Sequence, residues 1–367
     1  MASHLALMRA ALALTTVAGL MACAGAYPQS SERISRSAPP ETRPTAPGYL
    51  QQRISELGQS FDGCVGIAVI SIDSGWTIGW KADEFYPQQS VSKLWVSVTV
   101  LDKVDKGKIA LDQPVTLGRD DLTLFHQPIA QEILAGPVET TVRDLLVRAI
   151  TTSDNTANDK LMWIAGGPPA VRAMIKEKHL GAIRFYNGER ALQSRIAGLA
   201  WNPAYSIGNA FFDARDALPA RVRKAAFDRY VANPYDGAAP TAIVRALARL
   251  KRGEILSSYS TQFLLDTMSR THTGPNRLKG GLAPGWLLNH KTGTGQVLGE
   301  LQAGYNDVGI LTAPDGRSYG VAVMIKVTSA PLPVRMGLMN NVVRAVITAH
   351  DIEYPGASGP TIRTVGR

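Results

Sequence analysis

An α+β fold is predicted by three features of the sequence. Residues 65 to 80, "VGIAVISIDSGWTIGW", hold two strand-like runs around Asp73-Ser74-Gly75, a hairpin signal. Near the other end, "LQAGYNDVGIL" and "YGVAVMIKV" flank "TAPDGRS", so Leu301 to Val327 reads as a second hairpin. A helical stretch follows it, from Val334 to His350. The long interval between the hairpins reads mostly as helix, as in "VRDLLVRAITTSDNTANDKLMWIA" and "APTAIVRALARLKRGE". Together these predict one antiparallel sheet formed from both chain ends and flanked by helices. A mostly helical subdomain, about residues 102–280, is then inserted, with a ligand cleft at the junction.

The segments outside this body are read in order. "MASHLALMRAALALTTVAGLMAC" has a basic residue at Arg9 and an apolar stretch from Ala10 to Met21, too short for a comfortable membrane span. Residues 1–22 therefore read as an export signal. Leu20-Met21-Ala22-Cys23 resembles a bacterial lipobox, which implies a lipoprotein with a diacylated Cys23 at the mature N-terminus. A plain secretory signal with an incidental cysteine is the alternative. Residue 24 is Ala and not Asp, so the expectation is the periplasmic face of the outer membrane in a cell with two membranes. Residues 23–47 are rich in Ser, Pro and Ala without a period and read as a flexible tether. The folded domain is expected over 48–352, with a C-terminal tail over 353–367. Cys64 is the only other cysteine, so a lipidated Cys23 leaves it without a disulfide partner. It reads as a small buried residue at the edge of a strand.

Composition narrows the function. Hydrophobic residues are 45% of the 367, ample for one large domain or two. The net charge of +9 is scattered, with no run of like charges and no aromatic interleaving. That describes a solvated surface suited to anionic substrates rather than a nucleic-acid interface. The six histidines show no His-x-His or His-x-x-x-His spacing, so neither a metal site nor another cofactor is expected. His290 would point away from its neighbour Lys291 on a strand and reads as packing.

Three short motifs carry the chemistry. In "QQSVSKLWVS", Ser90 and Lys93 lie one helical turn apart, so hydroxyl and ammonium can meet on one face. A buried lysine there can take the serine proton and activate a nucleophile without histidine. The motif alone is weak, since chance supplies on the order of one per chain of this length. Ser90 as a helix N-cap is the competing reading. Ser153-Asp154-Asn155 and Lys291-Thr292-Gly293 are rarer, and their order after Ser90 shifts the balance toward chemistry. Lys291 offers charge to a substrate carboxylate, and Thr292 and Thr294 offer hydroxyls. Gly293 allows close approach to the strand. Asn155 can donate to a substrate amide, and Ser153 can relay a proton to a leaving nitrogen.

With these motifs the sequence, over about residues 50 to 352, resembles the penicillin-recognising serine hydrolases, most closely the class A β-lactamases. The resemblance implies an oxyanion hole from the backbone N–H groups of Ser90 and Thr294. It also implies a cleft-mouth aromatic at Phe125, for which a packed core position is the alternative. Class A enzymes carry a Glu-x-x-x-Asn whose carboxylate activates the deacylating water. Aligned on its Gly-Gly-Pro and Leu-Gly turns, this chain places Glu189 there, with Gln193 where Asn is usual. A solvated loop glutamate is the bland alternative, and Asp213, Asp216 and Asp236 are rival bases.

Two departures follow. Residues 194–236 are longer than the family pattern and read as an enlarged loop over the active-site floor, rich in aromatics and Arg. Trp201, Phe211 and Phe212 either line the cleft or pack this insertion onto the body. No Arg occurs from Thr292 through Gly316, where many relatives hold the substrate carboxylate. The resemblance thus implies a monomeric β-lactam hydrolase acting through an acyl-enzyme on Ser90 and conferring antibiotic resistance. A slow-deacylating penicillin-binding peptidase or serine esterase, and a non-catalytic peptidoglycan-binding lipoprotein, are the alternatives.

Overall fold

The computed structural model describes residues 47–356. The export signal, Cys23, the tether before Pro47 and the end of the C-terminal tail lie outside the described residues.

The main sheet is antiparallel, and both predicted hairpins belong to it. Its strands run in the order Thr77–Trp80, Cys64–Ser71, Ser318–Thr328, Leu301–Thr312, Leu287–Thr294, and Val297–Leu298 also pairs with Leu301–Thr312. Ile67 pairs with Trp80 on one side and Val323 on the other, so the first strand of the chain lies inside the sheet and not at its edge. Side chains of that strand alternate between two cores. Val65, Ile67 and Val69 face the terminal helices, whereas Ala68 and Ile70 face the helical body. Burial on both faces explains why it reads as a continuous apolar run.

Helix Gly48–Ser60 presents Leu50, Ile54 and Leu57 at helical spacing to the C-terminal helix Leu332–Glu353. These two helices cover one face of the sheet. The other face carries helix Pro240–Lys251 and, beyond it, the helical subdomain around the buried helix Lys93–Asp105. Helix Val142–Thr151 starts at Thr141, whose hydroxyl accepts from Asp144 N–H at 3.2 Å. Helix Asn155–Ile164 starts at Asp154, which accepts from Ala157 N–H at 3.0 Å.

Two expectations change. The stretch 194–236 is not an extended loop: it folds into a short turn at Pro203–Ser206 and helices Ala210–Ala217 and Ala220–Ala232. The second helix buries Phe227 and Tyr230, three residues apart, against Leu192 and Ile196, so a small core joins the insertion to helix Glu189–Ile196. Cys64 is a free thiol and only half-buried, because the strand begins there at the sheet's end.

Candidate active site

The opening of the buried helix decides how Ser90 is used. Residues Gln89–Ser92 form a 3₁₀ turn that runs into helix Lys93–Asp105. Ser90 caps nothing; its hydroxyl accepts from Lys93 Nζ at 2.8 Å. Lys93 has no exposed surface and also donates to Asn155 Oδ1 at 2.8 Å. Its third partner is the Glu189 carboxylate, in a buried ion pair. Serine, ammonium, amide and carboxylate thus meet from three separate elements.

Glu189 opens helix Glu189–Ile196, and its backbone N–H donates to both Asp159 oxygens at 2.9 and 3.1 Å. Asp159 projects from helix Asn155–Ile164, so the Ser-Asp-Asn helix also positions the carboxylate. Gln193, one turn on, donates Nε2 to Glu189 Oε2 at 3.1 Å. Burial alone would push the Glu189 carboxyl up, but Lys93 and the Gln193 amide together hold it below the ordinary value. Asp159 is pushed up to about 6 by burial, then by the nearby Glu189 charge. Of the rival bases, Asp213 is exposed and Asp216 pairs with Arg215 and Arg223, each at 3.1 Å.

On the opposite side, Lys291 is fully buried on strand Leu287–Thr294 and donates to Ser153 Oγ at 2.9 Å. Burial first, then the positive charge of Lys93, holds its ammonium well below the ordinary lysine value. Ser153 sits at φ +61°, a left-handed backbone that non-glycine residues rarely adopt. Asn155 gives Nδ2 to Leu124 C=O at 2.8 Å while its Oδ1 serves Lys93. One amide hydrogen is then left for the cleft.

Gly293 has a further structural reason beyond the close substrate approach expected of it. A Cβ there would lie 2.3 Å from the Gln88 carbonyl oxygen, so the glycine lets the strand press on the turn that carries Ser90. His290 does face away from Lys291, but it is more than packing: its Nδ1 lies 2.9 Å from Asp307 Oδ1 in a buried pair.

The arginine that the strand itself lacks comes from elsewhere. Arg277, from the loop before the strand, bonds Gly293 C=O at 3.0 Å, Asn306 C=O at 2.6 Å and Thr294 Oγ1 at 2.5 Å. Its guanidinium lies over the Tyr305 ring at 3.8 Å. Another residue that sequence reasoning missed is Gln89, at φ +52° just before Ser90. Gln89 N–H donates to Asp236 Oδ2 at 2.7 Å, and its side chain donates to Tyr230 Oη at 2.5 Å and accepts from Gln193 at 3.0 Å. Tyr230 in turn donates to Asp236 Oδ1 at 2.9 Å. Asp236, named above as a rival base, therefore braces the backbone before Ser90. No residue spacing signals either the Arg277 or the Gln89 contact.

These groups surround a cleft of about 530 Å³, within the range of small-molecule sites. Its lining includes Ser90, Ser153, Asn155, Gln193, Thr292 and Thr294. Phe125 lines it too, 39% exposed, which makes it the cleft-mouth aromatic rather than a core residue. The three insertion aromatics divide. Phe211 is buried against Leu124 and Ala197, with Trp201 beside it, whereas Phe212 lines the cleft at 41% exposure. Arg215, one turn after Phe211, joins it there. Among the described residues no cluster of potential metal ligands occurs.

The comparisons agree with this geometry. The model of the β-lactamase enzyme family matches residues 49–349. β-Lactamase L2 of Stenotrophomonas maltophilia is 30% identical over 266 residues, covering 72% of this chain and 74% of that protein. β-Lactamase VEB-1 of Pseudomonas aeruginosa is 26% identical over 277 residues, covering 75% of this chain and 82% of that one. Among solved structures, the TLA-3 extended-spectrum β-lactamase superposes with a TM-score of 0.67 at 27% identity, covering 81% of this chain and 96% of that one. An ancestral class A β-lactamase superposes with a TM-score of 0.65 at 28% identity, over 82% of this chain and 99% of that one. With its serine at the cleft and two lysines and a glutamate buried behind it, the chain belongs to the β-lactamase enzyme family, in its class A serine branch.

Proposed function

We propose that the protein hydrolyses β-lactams through an ester on Ser90, with Glu189 as the base that releases it. The observation that carries this reading is Lys93, which contacts Ser90 and Glu189 at once. In acylation, Ser90 Oγ bonds to the lactam carbonyl carbon while its proton passes to the Lys93–Glu189 pair. Backbone N–H groups of Ser90 and Thr294 would receive the developing oxyanion, each such donor being worth about 10² to 10³ in rate. The lactam C–N bond breaks and the ring nitrogen takes a proton through Ser153, which Lys291 orients. In deacylation, water gives its proton to Glu189 as it adds to the ester carbonyl. The ester C–O bond then breaks, and Ser90 Oγ recovers a proton.

Substrate placement follows from the same contacts. Lys291, Thr292, Thr294 and Arg277 would hold the carboxylate of the bicyclic core, and Asn155 and Gln193 the acyl amide. Gln193 reaches Glu189 despite standing where the family has Asn, because the two lie one turn apart on the same helix.

The test is turnover of a chromogenic cephalosporin followed beside intact protein mass. Wild type is expected to turn over without lasting mass gain. Glu189→Gln is expected to accumulate the acyl adduct and lose about 10² to 10⁴ in turnover. A wild-type protein that stalls as the adduct would be a penicillin-binding peptidase instead. We also propose a monomer anchored by lipid on Cys23, at the periplasmic face of the outer membrane. Cys23→Ser should release soluble protein or block processing, and wild-type protein cleaved elsewhere and free of lipid would refute the anchor.

A further inference from the structure

Fifteen residues line the cleft, and they include two guanidiniums but no carboxylate. Glu189 does not line the cleft and is already paired with Lys93. The two arginines stand at different places. Arg277 is tied to Gly293 and Thr294 on the strand, on the side of Lys291. Arg215 comes from the inserted helix Ala210–Ala217 and borders Gln296 and Val297, beyond the strand's end.

Arg215 is not spent on structure. Its Nε bonds the adjacent Asp216 at 3.1 Å, and its guanidinium lies 5.2 Å from the Phe212 ring centre. Its terminal nitrogens make no hydrogen bond among the described residues. Asp216 is also shared with Arg223 at 3.1 Å, so one carboxylate faces two cations. The side chain is 26% exposed, enough to reach a ligand but less screened than an open surface.

We propose that Arg215 makes this enzyme selective for β-lactams bearing a second anionic group, on the acyl side chain. This rests on the β-lactam reading above. The carboxylate of the bicyclic core would go to the Lys291–Arg277 side, and the side-chain carboxylate would accept a forked pair of hydrogen bonds from Arg215. Phe125 and Phe212, packed against each other with ring centres 6.0 Å apart, form one apolar wall of the entrance against which an aromatic side chain carrying that group would lie.

Benzylpenicillin and carbenicillin test this cleanly, since the second differs only by a carboxylate on the side-chain carbon. The readout is the ratio of kcat/KM, carbenicillin over benzylpenicillin. Arg215→Gln is expected to lower the ratio about tenfold or more, the scale of one charge-assisted contact. Asp216→Asn is expected to raise it, because the competing carboxylate is gone. The wild-type ratio should also fall with added salt. An unchanged ratio in Arg215→Gln overturns the proposal, and so does a fall in both variants, which would mark local disruption of the helix. Absence of benzylpenicillin turnover by the wild type would overturn the hydrolase reading and this one with it, so the two failures are distinguishable.

Discussion

Lys93 and Lys291 lie on the motif-built side of the cleft with no exposed surface, each ammonium held by two or more oxygen partners. Phe212 and Arg215 lie on the insertion side, partly in solvent, and rest mainly on neighbours within their own helix. The first side is over-determined: removing one member leaves a buried charge without its partner. The second is permissive, since its residues can change at little cost to the fold. Reaction chemistry belongs where geometry cannot drift, and selectivity belongs where it can. Tyr230 and Asp236 form the exception, because they belong to the insertion's end yet reach the backbone before Ser90.

The comparison breaks most visibly at Lys93. Lys93→Ala should lower kcat/KM by about 10² or more, the scale of a lost general base. It should also cost about 3–5 kcal/mol of stability, because Glu189 is left buried and unpaired. Adding Glu189→Gln to Lys93→Ala should restore part of that stability in denaturant unfolding but none of the activity. A double variant no more stable than the single would show that the pair is not the source of the loss.

The bridge between the two sides can be probed at Tyr230. Tyr230→Phe removes one hydroxyl and leaves Gln89 Nε2 and Asp236 Oδ1 each short of a partner. A stability loss of about 1–3 kcal/mol is expected. Turnover should fall less than in Lys93→Ala, since Asp236 still holds the Gln89 backbone N–H. Wild-type stability and activity in Tyr230→Phe would mean that the insertion does not brace the turn that carries Ser90.

Acid titration separates the buried carboxyls. Burial raises both Asp159 and Asp236 from the ordinary 3.8 to about 6. In that window the folded protein holds protons that the unfolded chain has released, so stability falls as pH rises from about 4 to about 6. Glu189 acts oppositely, since its lowered value adds stability that is lost as pH falls below the ordinary 4.5. Thermal melts between pH 4 and 6 should slope downward, and Asp236→Asn should flatten that slope. An upward slope in wild type would contradict the assignment.

The smallest effect is expected on the exposed side. Phe212→Ala should change the melting temperature little, as an exposed substitution of about 0.5 kcal/mol or less, and should raise KM more than it lowers kcat. A large loss of stability would place Phe212 among the supports of the fold rather than at its entrance.

The two hairpins of the sheet, the C-terminal helix and the first side of the cleft were legible because their signals are local, whereas helix Gly48–Ser60 was not anticipated. Apolar runs on either side of turn residues marked the hairpins, and Ser90–Lys93 needed only one turn of helix. Glu189 was reachable through turn residues that set the loop's register, although Asp159, which holds its backbone N–H, was not. The insertion differs from the loop expected because its two helices are held by only a few buried residues, Phe211 in the first and Ala226, Phe227 and Tyr230 in the second.

By itself, then, the sequence determined the α+β class and which residues of the three motifs could carry an acyl transfer, since propensity, pattern and short spacing act over a few residues. Only the tertiary structure decided that Arg277 serves a strand lacking its own arginine, that Gly293 makes room for the Gln88 carbonyl, and that Asp236 braces Gln89. Those contacts join side chains and backbone from segments distant or unpatterned in the chain. Their energies depend on burial and on distances of about 3 Å, which exist only once separate elements have packed.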